Sequence, residues 1–188
     1  MRGLVTVRRA EPDDVPALVK ITEEGDPHHP PRTRADSPAD RERRFDELVA
    51  DPRRVVEVAC DEDGLIVGLL VATAEDLGTL YPVPALSVST LVVLPSSRRR
   101  GVGRALLISV VQEAERRGVE CLVASVSGAD RDANRYLARL GFAPLVVRRL
   151  AQTSTLRRTL GMHEAIMRSA RRQRRRRVLS IRALSRDA

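Results

Sequence analysis

The feature that most restricts the fold is a run of four segments between residues 85 and 126. ALSVSTLVVL (85–94) is apolar enough to be buried on both faces of a sheet, and Pro95 ends it by withdrawing a ladder donor. After a basic, glycine-bearing loop, SSRRRGVG (96–103), Val102, Leu106, Leu107, Val110, Val111 and Ala114 recur at helical spacing, and Gly118 closes that helix. VECLVASV (119–126) then reads as another strand. Strand, loop, helix and strand in this order make a βαβ unit with a right-handed crossover. The fold class expected from it is α/β (α+β).

The flanking segments enlarge that unit. Residues 2–9 read as a first strand, and Glu11, Pro12, Asp13 and Asp14 place a proline and acidic groups where a helix N-terminus favours them, opening a helix through about Glu23. Residues 25–38 hold four prolines and the adjacent His28 and His29, and read as a surface loop. Ser37 caps a second helix with Pro38 at its first position and Phe45, Leu48 and Val49 at helical spacing. VVEVACDEDGLIVGLLVATAED (55–76) reads as an antiparallel hairpin around Asp63-Gly64, and residues 78–85 as a linker. Residues 130–140 form a further helix stopped by Gly141, and FAPLVVRRL (142–150) a last strand.

Composition narrows the function. Phe45, Tyr81, Tyr136 and Phe142 are the only aromatics, too few for a surface on which nucleic-acid bases stack. No window approaches the roughly 18 apolar residues of a membrane span, and no secretory leader pattern begins the chain, so a cytoplasmic protein is expected. Cys60 and Cys121 lie in separate apolar segments without partners at ligand spacing, and read as buried reduced thiols. No metal site is expected.

The loop carries the chemistry. Glycines at 101 and 103 let backbone approach a phosphate without Cβ clashes, and the amides of the helix that follows point their dipole at an anion. Arg98-x-x-Gly101-x-Gly103, set between an apolar strand and a striped helix, resembles the R/Q-x-x-G-x-G/A loop of the Gcn5-related N-acetyltransferase (GNAT) family. The segment from Ala133 to Phe142, which ends in Leu140-Gly141-Phe142, is similar to that family's fourth-helix signature. The resemblance covers roughly residues 4–150 and is specific only over 87–107 and 133–142.

The resemblance implies a mixed sheet of six to seven strands with about four helices, its fourth and fifth strands splayed around the pantetheine arm of acetyl-CoA. It places the cofactor on Leu91, Val92, Val93, Arg98, Arg99, Arg100, Gly101, Val102, Gly103, Arg104 and Asn134. It implies direct attack by an amine on the thioester, with a backbone N–H near Val93 polarising the carbonyl. The family's usual proton donor is a Tyr four residues before the helix-ending glycine. Here Leu137 holds that position, and Tyr136, the candidate acid, sits one residue earlier, rotated by about 100° on a regular helix. Where some members carry a basic Glu on the fourth strand this chain has Ser89, which needs a water relay to serve. His28 and His29 have suitable intrinsic pKa values but lie in the proline-rich loop. Acceptor-binding elements are expected in residues 22–38 and 76–86.

The charge is uneven. Residues 148–188 carry thirteen arginines against Glu164 and Asp187, a balance of +11, while residues 1–147 carry 20 basic and 23 acidic groups, a balance of −3. The expected division is a domain over 1–160 and an Arg-rich tail over 161–188, disordered or helical. The cluster Arg171, Arg172, Arg174, Arg175, Arg176 and Arg177 is either a solvated tail or a nonspecific contact for RNA, DNA or another polyanion. Val178, Leu179, Ile181 and Leu184 also allow docking on the body or on a second copy as a homodimer. Two functions stand side by side: an acetyltransferase acting on a small-molecule or protein amine, and a catalytically degenerate acyl-CoA-binding module working through its tail.

Overall fold

The computed structural model describes residues 5–25, 37–78, 80, 82–147, 149 and 151–161. His28, His29, the proline-rich segment and the arginine cluster of the tail lie outside the described residues. In chain order the elements are β1 (Thr6–Arg9), α1 (Val15–Gly25), α2 (Pro38–Ala50), β2 (Arg54–Cys60), β3 (Ile66–Leu77), β4 (Val83–Val93), α3 (Val102–Arg116), β5 (Cys121–Ala124), α4 (Arg131–Arg139) and α5 (Thr153–Thr159). Five strands form one sheet in the order β1-β2-β3-β4-β5, antiparallel throughout except for the parallel β4–β5 pair.

The unit Met1–Ala143 holds the sheet and α1 to α4. Alternation along the strands builds two cores. Val55, Ala59, Leu70, Leu86 and Val88 meet the Val102, Leu106, Val110 stripe of α3 on one face. Leu18 and Ile21 of α1 meet Val56, Val58, Leu69 and Val92 on the other, with Phe45, Leu48 and Val49 of α2 alongside. The start of α2 has a sequence cause. The Ser37 hydroxyl accepts the Asp40 N–H at 3.1 Å and the Asp40 carboxylate accepts the Ser37 N–H at 3.3 Å, a reciprocal capping box with Pro38 in the first turn. The β2–β3 turn is wider than a two-residue hairpin: Asp61 Oδ1 accepts the N–H of Asp63 at 3.1 Å and of Leu65 at 2.9 Å, and Gly64 takes φ +78°.

The second unit is Pro144–Ala188, and its described part contains α5, which buries no residue. The strand expected over 142–150 is not seen among its described residues: residues 142–147 and 149 take no regular structure. The β-branched run reads as a strand locally, but Pro144 cannot donate and β-propensity expresses itself only against a paired neighbour. The described sheet therefore has five strands, not six to seven, and the described helices number five. Cys60 is buried, Cys121 is half-buried, and both are free. Among the described residues no helix is long and apolar enough to cross a membrane, and no group of three or more His, Cys, Asp or Glu is placed to hold a metal ion.

Candidate active site

One extra residue in β4 creates the site. Val71 pairs with Thr90 and Ala72 with Val88, leaving Ser89 unpaired as a β-bulge. Its hydroxyl donates to the Val71 carbonyl at 3.3 Å. Before the bulge the even-numbered residues of β4 turn their backbone groups to β5, since Ser125 N–H donates to Val88 C=O at 3.0 Å. Beyond it the parity reverses: Leu94 N–H donates to Val67 C=O of β3 at 3.0 Å, so alternation directs the backbone groups of Leu91 and Val93 away from β3. β5 pairs with β4 only over Ala85 to Val88. The two strands then part, and a cavity of about 1190 Å³ opens between them.

The basic, glycine-bearing loop lines that cavity. A 3-10 turn, Pro95–Ser97, leads from β4 into Arg99 at φ +61° and Gly101 at φ +91°, both left-handed. Gly101 is the N-cap of α3 and supplies no side-chain cap. The first helical bond runs from Ala105 N–H to Gly101 C=O at 2.9 Å, so the N–H groups of Val102, Gly103 and Arg104 precede the intrahelical ladder. All three residues line the cavity, and the positive end of the helix dipole faces into it. A Cβ at Gly103 would meet only Val93 Cγ2, at 3.8 Å, so the space beside this backbone is open.

α4 supplies the opposite wall. Asp130 Oδ1 caps it by accepting the Ala133 N–H at 2.9 Å. Arg98, Arg99, Arg104, Arg135 and Arg139 line the cavity against Asp130 and Asp132, so its field favours an anion. Arg135 pairs with Asp132 at 3.4 Å. Tyr136 packs against the α3-side core and also lines the cavity, where its buried hydroxyl has no hydrogen-bond partner among the described residues. Burial pushes that phenol above its ordinary pKa, and the cations of Arg104 and Arg139 offset part of the rise. Leu137 is buried and lines the same cavity.

Most of the residues singled out in the sequence converge here. Ser89, Leu91, Val92, Val93, Arg98, Arg99, Gly101, Val102, Gly103, Arg104 and Tyr136 all line the cavity. Arg100 and Asn134 do not. Asn134 Nδ2 donates to the carbonyls of Ser127, at 2.9 Å, and Asp130, at 2.6 Å, tying the β5–α4 loop to its helix. Sequence reasoning missed Arg135 and Arg139. Their i,i+4 spacing on one helical face was the available signal.

The sequence model described as the acetyltransferase (GNAT) family matches residues 18–142. No curated protein matches the chain. Among solved structures, a transcriptional regulator from Bacillus halodurans C-125 is similar at 24% identity and a TM-score of 0.69, covering 79% of this chain and 99% of that one. An aminoglycoside N-acetyltransferase, AAC(6')-Iy, solved in complex with CoA, is similar at 16% identity and a TM-score of 0.67, covering 80% of this chain and 95% of its own. A ribosomal-protein-alanine N-acetyltransferase from Brucella melitensis biovar Abortus 2308 is similar at 17% identity and a TM-score of 0.64, covering 79% and 99%. At these identities the likeness is one of fold.

Proposed function

The chain belongs to the acetyltransferase (GNAT) family and is an acyltransferase, and from that premise we propose that it transfers the acetyl group of acetyl-CoA to a primary amine. The observation that carries this reading is the uncapped N-terminus of α3, opening beside Gly103 into the cavity where β4 has left β5. The diphosphate is taken by the N–H groups of Val102, Gly103 and Arg104, in the positive field of the loop arginines. The pantetheine arm lies along the unpaired edge of β4, bonding to the backbone of Leu91 and Val93 as an added strand does. The Val93 N–H faces the thioester oxygen and stabilises the charge that develops there.

In the reaction the amine nitrogen forms a bond to the acetyl carbon and the carbon–sulfur bond breaks. The departing thiolate takes a proton, and the nitrogen releases one to water. Tyr136 is the proposed donor to the sulfur: its hydroxyl is protonated at neutral pH and has no partner among the described residues. Ser89 is not a base in this scheme, since its hydroxyl proton is directed to Val71. Holding both substrates in one cleft supplies much of the rate.

The acceptor is a small-molecule or protein amine. Neighbours named for aminoglycosides and for a ribosomal-protein alanine suggest one panel with both classes. Thiol release from acetyl-CoA is measured with each amine, beside calorimetric binding of CoA. Turnover with any member supports the assignment. CoA binding without turnover on any acceptor favours the degenerate module, and no CoA binding removes both readings.

A further inference from the structure

Arg98 is the first residue of the phosphate loop, and one of its contacts is directed at the strand end and not at the anion site. Its Nε donates to the Val93 carbonyl at 3.2 Å. The peptide unit joining Val93 to Leu94 is thereby held at both ends, because the Leu94 N–H donates to Val67 of β3 at 3.0 Å. A peptide held on both sides cannot swing about the strand axis. The neighbouring Val93 N–H, placed above at the thioester, then has a fixed direction. Arg98 also stands just before the two left-handed residues Arg99 and Gly101, so the same bond sets where the strained loop departs from the strand.

We propose that Arg98 is a positioning residue that clamps the phosphate loop to the end of β4 through its Nε–H, and that this contact, rather than its charge, is what the position supplies to acetyl-CoA binding. The inference rests on the acetyl-CoA reading above. It has a distinctive consequence in covalent geometry. The Nε of arginine stands four bonds from Cα, as does the amide nitrogen of glutamine. Lysine has a methylene at that place and its ammonium one bond further. A glutamine can therefore reproduce the clamp without the charge, and a lysine keeps the charge without the clamp.

The test compares Arg98→Met, Arg98→Lys and Arg98→Gln with the unaltered chain by two readouts. In the ligand-free protein, amide hydrogen exchange over residues 99–104 is expected to accelerate in the Met and Lys variants and to return toward the original rate in the Gln variant. In CoA titrations the Met and Lys variants are expected to lose about tenfold in affinity, with Gln recovering most of the loss and keeping the original salt dependence. Arg98 is exposed, so thermal melts of the three variants serve as a fold control. Retained affinity in the Lys variant, with Gln as weak as Met and a flatter salt dependence, overturns the clamp and makes Arg98 a point charge for phosphate. If the original chain binds no CoA, the acetyltransferase reading fails separately, and the exchange pattern still decides the clamp.

Discussion

Gly68 of β3 lies so close beneath Val102 of α3 that a Cβ on the glycine would stand 2.7 Å from Val102 Cγ1. Leu106 Cδ1 and Ala59 Cβ would follow at 3.0 and 3.2 Å. The missing side chain lets the first turn of α3, which carries the amides proposed to hold the diphosphate, close onto the sheet beside the cleft. Gly68→Ala is therefore expected to cost about 1–3 kcal/mol through overpacking, read as a lower urea midpoint. A midpoint equal to that of the original chain shows that α3 can shift at no cost.

Gly103 and Gly101 separate site chemistry from backbone strain. Gly103 has room for a side chain and its φ is not in the left-handed region, so Gly103→Asp is expected to fold normally. On the proposed binding mode a carboxylate there would repel the diphosphate, and CoA affinity should fall on the order of 100-fold. Gly101 is at φ +91° and a Cβ added there would meet nothing within 4 Å, so Gly101→Ala should lose about 1–2 kcal/mol of stability through the left-handed conformation alone. Calorimetric titration with CoA and thermal melts read the two effects apart.

Tyr136→Phe removes a buried hydroxyl that has no partner among the described residues. Stability should stay level or rise by about 1 kcal/mol, since no internal hydrogen bond is lost. With an active acceptor in hand, kcat should drop about 100-fold if the hydroxyl donates to the sulfur. An unchanged kcat assigns Tyr136 to packing and leaves protonation to water.

Stability should depend on pH through two carboxyls of opposite sense. Glu57, buried on β2 facing α3, has its pKa raised by burial; a Ser109 hydrogen bond and the charges of Arg9 and Arg116 work against the rise, and Glu113 adds to it. A raised folded pKa means that the folded chain binds the extra proton, so the stability this group contributes is complete below its unfolded pKa and is lost as pH rises through the folded one. Glu57→Gln should therefore gain on the original chain in urea midpoints as pH rises from the ordinary carboxylate range toward neutrality. A constant difference across that range shows that Glu57 does not titrate there.

Asp14 runs the other way. Its carboxylate accepts two Arg8 N–H bonds, at 2.6 and 2.9 Å, and the Glu11 N–H at 2.8 Å. These hold its pKa below the ordinary carboxylate value, the Arg8 bond first. That stability is present above the unfolded pKa and disappears as pH falls through the folded one. Asp14→Asn should be less stable than the original chain at neutral pH, with the gap closing in acid. A gap that persists in acid assigns the loss to packing.

Much of the site could be read in the residues because its causes are local. The Pro95 stop, the glycines at 101 and 103 and the Leu106, Leu107, Val110 stripe act within a few residues of one another, and each determined its own turn, cap or helix face. What the residues could not supply concerns partners. FAPLVVRRL reads as a strand over 142–150, yet whether an extended segment joins a sheet depends on a neighbour that the segment does not contain. Position along α4 points Asn134 to the cofactor, whereas two carbonyls of the preceding loop engage its amide.

By itself, then, the order of residues determined a basic, glycine-hinged turn between a buried strand and an amphipathic helix, and with it an uncapped row of amides. Only the tertiary structure decided that Ser89 is an extra residue against Val71, which reverses the backbone parity of β4 and turns Leu91 and Val93 toward an open cleft. Turn and helix geometry are settled over a few consecutive dihedral angles. A bulge exists only relative to the register of the adjacent strand, and register is set by burial across the whole sheet.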